Sequence, residues 1–296
     1  MTENVIETKG LTVYYGRQRG ILNVDLTVQK GEVYGFLGPN GAGKTTTQRV
    51  LLDVIRPVSG QAWLFGLDCQ KEGVTARQRV GYLPGELNLY ENMKAYQFFD
   101  TVEAMRGKNG DKSYREAICQ RLNLDTGRKI REYSRGNKQK VGVVVAFMNK
   151  PNLLILDEPT SGLDPLVQQT VLELVREAKA DGRTVFFSSH ILSEVQEVCD
   201  RVGIIRDGQL VATERVETLI KQQFKRLRLS FATLPPADAF ALDGVTETAR
   251  DEQSVTLEIR ENLNGVLRTA VTYHVLDIDT IPVTLEEVFL AYYGGK

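Results

Sequence analysis

The sequence predicts an α/β protein with an open, mostly parallel sheet, followed by a small α+β domain. Through about residue 213, short apolar runs typical of buried strands alternate with segments of helical periodicity. One run, Leu153-Leu154-Ile155-Leu156, is apolar at every position, as in a strand buried on both faces of a parallel sheet. Beyond residue 215 the pattern is strand, helix, strand, strand, helix, strand, which is the split βαβ order. At 296 residues the chain allows two domains, and we expect them at residues 1–215 and 216–296.

The first domain is expected to contain an antiparallel part and a helical part beside its parallel sheet. Residues 24–28 alternate with period two, which predicts a half-buried antiparallel strand. Amphipathic periodicity places the helical part at about residues 87–149, with a break between two helices at Gly107 and Gly110. The remaining expected elements are strands at residues 33–37, 61–65, 79–83, 153–156 and 184–188, helices at 45–54 and 165–180, and a hairpin at 202–212.

The second domain is predicted from four strands and two helices. The strands are expected at residues 226–232, 245–249, 254–259 and 275–279, and the helices at 235–242 and 261–272. Thr284 and Glu287 form a capping box, which predicts a last helix through Tyr293. A regulatory ligand-binding role is an alternative for this domain, although its only histidine, His274, has no evident partner.

Composition excludes some classes of function. Hydrophobic residues make up 42 % of the chain, charged residues 25 %, and the net charge is −1, so no nucleic-acid partner is expected. The three cysteines are far apart and form no paired metal or redox spacing. Residues 1–11 lack the features of a signal peptide, and no apolar run reaches the roughly 20 residues of a membrane span. We therefore expect a cytoplasmic protein whose membrane role comes through a partner.

Two motifs predict nucleotide chemistry. The stretch Gly38-Pro39-Asn40-Gly41-Ala42-Gly43-Lys44-Thr45 fits the phosphate-binding pattern G-x-x-x-x-G-K-[ST], between an apolar strand and a helix. Glycines let backbone N–H groups turn onto phosphates, while Lys44 reaches the β/γ oxygens and Thr45 binds Mg²⁺. Asp157-Glu158 ends a buried strand, where one carboxylate can support Mg²⁺ and its neighbour can orient an attacking water. The alternatives are a chance glycine-rich turn and an acidic turn, which the joint occurrence disfavours.

These motifs belong to a longer ordered set that resembles a known family. Leu153 through Pro165 resembles the Walker B motif and D-loop of an ABC transporter ATP-binding subunit. Tyr133-Ser134-Arg135-Gly136-Asn137 occupies the place of the LSGGQ signature, Ser188-Ser189-His190 resembles the H-loop, and Tyr15 the A-loop aromatic. The order and spacing fit across residues 5–213, so the chain is identified as a member, with a P-loop NTPase fold of the ABC type.

The resemblance implies a role for each matching residue, with ATP and Mg²⁺ as cofactors. Tyr15 stacks on adenine, with Tyr14 as the alternative, and residues 38–46, including Thr46, cradle the phosphates. Asp157 supports Mg²⁺, Glu158 is the catalytic base or orients water, and His190 contacts the γ-phosphate, although a lone histidine after a strand is more often structural. Ser134 and Gly136 complete the partner subunit's ATP site, so two chains meet head to tail with Asp164 at the interface.

Two departures from the family pattern stand out. Arg135 replaces the first glycine of the signature, while Ser134 and Gly136 are retained. Where many relatives carry glutamine after Tyr-Leu-Pro, this chain has Gly85 and then Glu86. One hypothesis is that Glu86 supplies the missing contact to Mg²⁺ if the loop shifts by one residue.

The resemblance further implies a transport function. The chain is expected to be the ATPase of an exporter, on the inner face of the cell membrane, bound to a separate integral-membrane permease and to a second copy or homologue. Residues 284–290 are similar to the tails of prokaryotic multidrug, antibiotic or polysaccharide exporter ATPases. Candidate permease contacts, or else core residues, are Tyr90, Met93, Tyr96, Phe98 and Phe99. The alternative is a soluble ABC-type ATPase that acts on nucleic acid, ribosomes or cofactor assembly.

Overall fold

The computed structural model describes residues 3–107, 111–221 and 225–281. The chain divides into two compact units, Met1–Val216 and Glu217–Lys296, and each unit is described here by itself. The predicted tail helix with Thr284 and Glu287 lies outside the described residues, as does Gly110. No helix of the described ranges has the length and apolar character needed to cross a membrane.

The strands of the first unit form two sheets. In chain order they are β1 (Asn4–Tyr15), β2 (Gln18–Gln29), β3 (Val33–Leu37), β4 (Ser59–Leu64), β5 (Leu67–Asp68), β6 (Val80–Leu83), β7 (Leu153–Asp157), β8 (Thr184–Ser189), β9 (Arg201–Arg206) and β10 (Gln209–Arg215). One sheet has the order β10-β9-β3-β8-β7-β6. Its neighbours are parallel except for β10, which pairs with β9 in the predicted hairpin. The mostly parallel sheet is therefore confirmed.

The second sheet of this unit is the predicted antiparallel part. Its order is β2-β1-β4-β5, and the pairs β1–β2, β1–β4 and β4–β5 are all antiparallel. Its inward side chains share one apolar core with the parallel sheet. In that core, the rings of Tyr34 and Phe186 stack with centroids 5.9 Å apart. The shared core fixes the turn after β1 beside the end of β3, where the phosphate-binding motif begins.

The helices of the first unit include one, α2, that was not predicted from the sequence. They are α1 (Lys44–Leu51), α2 (Gly73–Arg77), α3 (Ala95–Met105), α4 (Lys112–Arg121), α5 (Arg135–Phe147), α6 (Pro165–Ala180) and α7 (Leu192–Val198). A further helix, α8 (Val216–Lys221), begins at the last residue of this unit. The predicted break between two helices lies between α3 and α4, where Gly107 has φ +64°. Of the aromatic residues in this region, Phe98 and Phe99 are buried, whereas Tyr90 and Tyr96 are exposed.

After α8, the second unit contains one antiparallel sheet and one further described helix. Its elements are β11 (Lys225–Phe231), β12 (Val245–Arg250), β13 (Ser254–Ile259), α9 (Leu263–Thr272) and β14 (Val275–Ile281). The sheet order β12-β13-β11-β14 is the order of the split βαβ arrangement. The apolar face of β11 and β13 packs with Val266 and Ala270 of α9 in a separate core.

The helix predicted at residues 235–242 is wrong, because the structure has only turns there. Two consecutive prolines open the segment, and neither supplies an N–H group. Their carbonyl oxygens accept hydrogen bonds from the Arg250 guanidinium, at 2.8 Å for Pro235 and 3.4 Å for Pro236. Phe240 is buried against Phe231, with ring centroids 6.3 Å apart. The side-chain contacts therefore hold the segment in a turn although it includes residues that favour helices.

Candidate active site

The phosphate-binding loop joins the end of β3 to the start of α1. Gly41 and Gly43 have φ values of +80° and +111°, which glycine adopts far more readily than other residues. No hydrogen bond within the described part of the chain uses the backbone N–H of residues 41, 43, 44, 45 or 46. These donors belong to the loop and to the first turn of α1, where the helix dipole is positive. The loop therefore presents several free donors to an anion.

Lys44 places a buried positive charge at this loop. Its Nζ donates to the carbonyl oxygens of Gly38, at 2.6 Å, and of Pro39, at 3.2 Å. The same nitrogen lies 3.5 Å from Oε1 of Glu158. Lys44 is thus held between the loop and one carboxylate, which compensates part of the cost of burying its charge.

Asp157 ends β7 with both carboxylate oxygens hydrogen-bonded. Oδ2 accepts from the Thr45 hydroxyl at 2.6 Å, and Oδ1 accepts from the Ser188 hydroxyl at 2.5 Å. Burial raises the pKa of the neighbouring Tyr82 to about 12, and the negative charge of Asp157 adds to that shift. The structure therefore brings together Thr45 and Asp157, two of the three residues predicted to hold Mg²⁺.

The sequence analysis assigned no role of its own to Ser188. Asp157 and Ser188 are opposite each other in the parallel pair β7–β8. The contact between these two residues depends on the register of β7 and β8, and the residues of either strand alone do not reveal that register.

Glu158 stands in a left-handed backbone conformation, with φ +48°. For a residue other than glycine, this conformation costs roughly 1–3 kcal/mol and is frequent at functional sites. Its N–H donates to the carbonyl oxygen of Ser188 at 3.1 Å. Its Oε1 lies 3.2 Å from Nδ1 of His190, as well as near Nζ of Lys44. The three residues predicted to be catalytic therefore meet at a single oxygen atom.

Gln139 also contacts this segment, and the sequence analysis did not single it out. It lies on α5, and its Nε2 donates to the carbonyl oxygens of Glu158 at 3.3 Å and Pro159 at 3.1 Å. The sequence offers little signal for this contact, because Gln139 stands between Lys138 and Lys140 in the polar first half of α5. Through this contact, the helix that follows Ser134 is tied to the backbone of the acidic pair.

Tyr15 lies beside the phosphate-binding loop, next to Thr46. Its hydroxyl is 3.3 Å from the hydroxyl of Thr46, and 45 % of the residue is exposed. A Cβ placed on Gly20 would lie 3.1 Å from the Tyr15 ring, so the ring covers that glycine. This contact favours Tyr15 over Tyr14 as the aromatic residue beside the loop.

Ser134, Gly136 and Asp164 form a separate region. Ser134 caps α5 by accepting from the N–H of Asn137 at 3.3 Å, and Asp164 caps α6 by accepting from the N–H of Val167 at 3.1 Å. A Cβ on Gly136 would lie 2.9 Å from the carbonyl oxygen of Gly162, so α5 closely approaches the segment before Asp164. Across the described ranges, no hydrogen bond or ion pair joins these residues to the phosphate-binding loop.

The structure does not bring Glu86 into the cluster. Glu86 is exposed and takes part in no hydrogen bond or ion pair of the described residues. The residue beside Asp157 is Gly85, on which a Cβ would lie 3.1 Å from Oδ2 of Asp157. The geometry therefore gives no support to Glu86 as the replacement for the expected glutamine.

The comparisons with known proteins identify the family of this chain. A family model described as ABC transporter matches residues 21–161. The chain is 41 % identical over 205 residues to an uncharacterized ABC transporter ATP-binding protein, all4389, of Nostoc sp., with 67 % of this chain and 60 % of that protein covered. It is 37 % identical over 232 residues to the bacitracin transport ATP-binding protein BcrA of Bacillus licheniformis, with 77 % and 75 % covered.

The comparison of folds gives the same result. A solved structure of an ATP-binding subunit of an ABC transporter aligns with a TM-score of 0.67 at 30 % identity, covering 74 % of this chain and 92 % of that one. The match with the Nostoc protein, in contrast, leaves more than a third of that relative's length uncovered. Because the identity to BcrA extends over three quarters of both proteins, the resemblance reaches well beyond a short motif. The chain belongs to the ABC transporter ATP-binding family.

Proposed function

We propose that this chain is the ATPase subunit of an exporter and drives a separate membrane permease through ATP-dependent pairing of two copies. The observation that carries the proposal is the convergence of Lys44 and His190 on Oε1 of Glu158, beside the Thr45–Asp157 pair. The relative named for bacitracin transport favours export. It also favours a transporter over the soluble alternative. The protein would then lie on the inner face of the membrane, held there by its permease.

The residues present fit ATP with Mg²⁺. The unpaired N–H groups of residues 41 and 43–46 match the phosphate oxygens, and the open space next to Gly41 leaves room for them. Among the described residues, no group of three or more His, Cys, Asp or Glu side chains forms a metal site. Mg²⁺ prefers one or two protein oxygens plus phosphate and water, and Thr45 with Asp157 supplies those oxygens. The ion would neutralise charge on the phosphates.

In this proposal, Glu158 orients the attacking water and accepts its proton. A triphosphate offers Lys44 a stronger anion than Glu158 does, so ATP binding draws Lys44 towards phosphate and frees the Glu158 carboxylate for water. His190, whose Nδ1 lies 3.2 Å from that carboxylate, would contact the γ-phosphate of the nucleotide. Tyr15 covers the adenine.

The second copy would complete the site. Ser134, Gly136 and Asp164 share one surface region that makes no contact with the phosphate-binding loop of their own chain. We assign them to the ATP of the partner, which requires head-to-tail pairing. ATP then acts as the link between two copies, and its hydrolysis releases them.

The permease would dock on the helical part of the first unit. A cavity of about 380 Å³ opens beside the end of α1 and is lined in part by Leu52, Val54, Val80, Tyr82 and Arg106. Tyr90 and Tyr96 are exposed and remain candidates for this contact, whereas Phe98 and Phe99 are core residues. The ATPase domain would end near residue 215, and the remaining residues would form an accessory domain.

The replacement Glu158→Gln tests the proposal. It keeps the shape of the side chain but removes the base, so turnover should fall at least about a hundredfold while ATP binding persists. Size-exclusion chromatography with light scattering should then show a stable dimer with ATP and Mg²⁺ and a monomer without them. Glu173→Gln, on the exposed face of α6, makes the same chemical change and should behave as wild type. A Glu158→Gln protein that hydrolyses ATP at the normal rate, or stays monomeric with ATP, would contradict the proposal.

A further inference from the structure

A buried carboxylate outside the site already described joins the two segments that carry Glu158 and His190. Glu194 lies on α7 and is 6 % exposed. Its Oε1 accepts a hydrogen bond from the Thr160 hydroxyl at 2.5 Å, and its Oε2 accepts one from the Ser189 hydroxyl at 2.7 Å. Both oxygens of one carboxylate are therefore held by hydroxyls from two different segments, the turn after β7 and the end of β8.

The two hydroxyls lie next to the catalytic groups in sequence. Thr160 follows Glu158 by two positions, and Ser189 immediately precedes His190. The Ser189 hydroxyl oxygen also accepts from the N–H of Ile191 at 2.9 Å, so the contacts of Ser189 bracket His190. Glu194 thereby connects the backbone on one side of the Glu158–His190 pair with the backbone on the other.

A structural role alone is a poor explanation for this carboxylate. No Lys, Arg or His forms an ion pair with Glu194 in the ranges that the structure describes. Burying a carboxylate with hydroxyls as its only partners is costly, and an apolar side chain would fill the same space with less penalty. A carboxylate that accepts two short hydrogen bonds does, however, fix both donors in position.

We propose that Glu194 is a positioning residue, which sets the distance between Glu158 and His190 by tying Thr160 to Ser189. The inference rests on the proposed function, because it assumes that these two residues act on the same water. The distance of 3.2 Å between Oε1 of Glu158 and Nδ1 of His190 is within hydrogen-bond range. A shift of about 1 Å in either of the segments that carry these two residues would take the distance out of that range. A misplacement of that size lowers rates by up to about a hundredfold in other enzymes.

The experiment compares Glu194→Gln, Thr160→Val and Thr160→Ser with the wild-type protein. Glu194→Gln and Thr160→Val should each lower kcat about tenfold or more, because each change removes one of the two hydroxyl-to-carboxylate hydrogen bonds that connect Thr160 with Ser189. KM for ATP should stay within about twofold, because the phosphate-binding loop is untouched. Thr160→Ser keeps the hydroxyl and should retain most of kcat. Combining Glu194→Gln with Thr160→Val should lower kcat little beyond the larger single effect, because both act through one contact.

Thr8→Val is the matched control for loss of a buried threonine hydroxyl. Thr8 lies on β1 and is 2 % exposed, and its hydroxyl donates to the carbonyl oxygen of Val24 at 2.9 Å. This change should lower the unfolding temperature but leave kcat unaltered. A fall in kcat for Thr160→Val no larger than that for Thr8→Val at equal loss of stability would overturn the inference.

Glu158→Gln measured in parallel separates the two proposals. If Glu158→Gln abolishes turnover while Glu194→Gln and Thr160→Val leave kcat unchanged, the positioning role is refuted and the proposed function stands. If Glu158→Gln itself keeps turnover, the assignment of the site fails and the inference fails with it.

Discussion

Replacing Ser188 with alanine should measurably destabilise the first unit even without nucleotide. Ser188 donates to Oδ1 of Asp157 at 2.5 Å, and both residues are buried. Ser188→Ala removes the donor and leaves one oxygen of a buried carboxylate without its partner. Hydrogen bonds to charged groups contribute roughly 1.5–3 kcal/mol, so we expect a loss of about 2 kcal/mol in the free energy of unfolding. For a unit of this size, that loss lowers the unfolding temperature by about 4–8 °C.

The measurement uses Trp63, the single tryptophan of the chain, which lies on β4 and reports on the first unit. Its fluorescence is followed on heating, in EDTA and without nucleotide, so that no bound metal or ATP contributes to stability. Ser113→Ala is the matched control, since Ser113 donates to Asp111 at the same 2.5 Å distance but is exposed. It should shift the midpoint by no more than about 2 °C. Equal shifts for Ser188→Ala and Ser113→Ala would refute the reasoning from burial.

Three further predictions concern the loop, the thiols and the metal. Gly38→Ala should lose ATP affinity more than about tenfold by equilibrium binding, because the new Cβ would lie 2.3 Å from the Ile205 carbonyl oxygen. Gly182→Ala, which has open space and lies outside the phosphate-binding loop, should keep that affinity and mainly lose about 1 kcal/mol of stability. Burial raises the pKa of Cys69 to about 12 and that of Cys119 to about 11. Iodoacetamide at pH 8 should therefore alkylate these thiols at least about a hundredfold faster after the protein is unfolded in guanidinium, and intact-mass measurement follows the reaction. EDTA should abolish ATP hydrolysis in a phosphate-release assay, and added Mg²⁺ should restore it. Turnover that persists in EDTA would contradict the proposed binding of Mg²⁺ by Thr45 and Asp157.

Much of the fold could be predicted from the sequence where local signals agree. The strand predicted at residues 33–37 is β3 (Val33–Leu37), because a short apolar run between two turns has few alternatives. The helix predicted at residues 165–180 is α6 (Pro165–Ala180), since its capping aspartate, its first-turn proline and a following glycine mark both ends. In the second unit the strand order follows the prediction, although one expected helix forms only turns.

The contacts of the candidate site were harder to predict, because they depend on which strands are neighbours. Ser188 reaches Asp157 only through the register of β7 and β8. Glu194 reaches Thr160 only because α7 packs against α6 and β8, on either side of the turn that contains Thr160. The hypothesis for Glu86 relied on its position next to Gly85 in sequence. The direction of the backbone decides whether Gly85 or Glu86 faces Asp157, and the pattern of residue types does not reveal that direction.

The strain at Glu158 explains why several elements make contact with this one residue. Its left-handed backbone persists only where neighbouring groups hold it, and its N–H, carbonyl oxygen and carboxylate are each engaged. The partners come from different elements, namely Ser188 on β8, Gln139 on α5, Lys44 on α1, and His190 after β8. The peptide unit cannot relax without disturbing at least one of these contacts. In the proposed function, the backbone of Glu158 is fixed in this way before ATP binds and only the contact of its carboxylate with Lys44 changes, so little reorganisation would be needed when charge develops. In the proposed function, the two-residue acidic motif is where the chemistry occurs, while contacts from α1, α5 and the end of β8 determine its geometry.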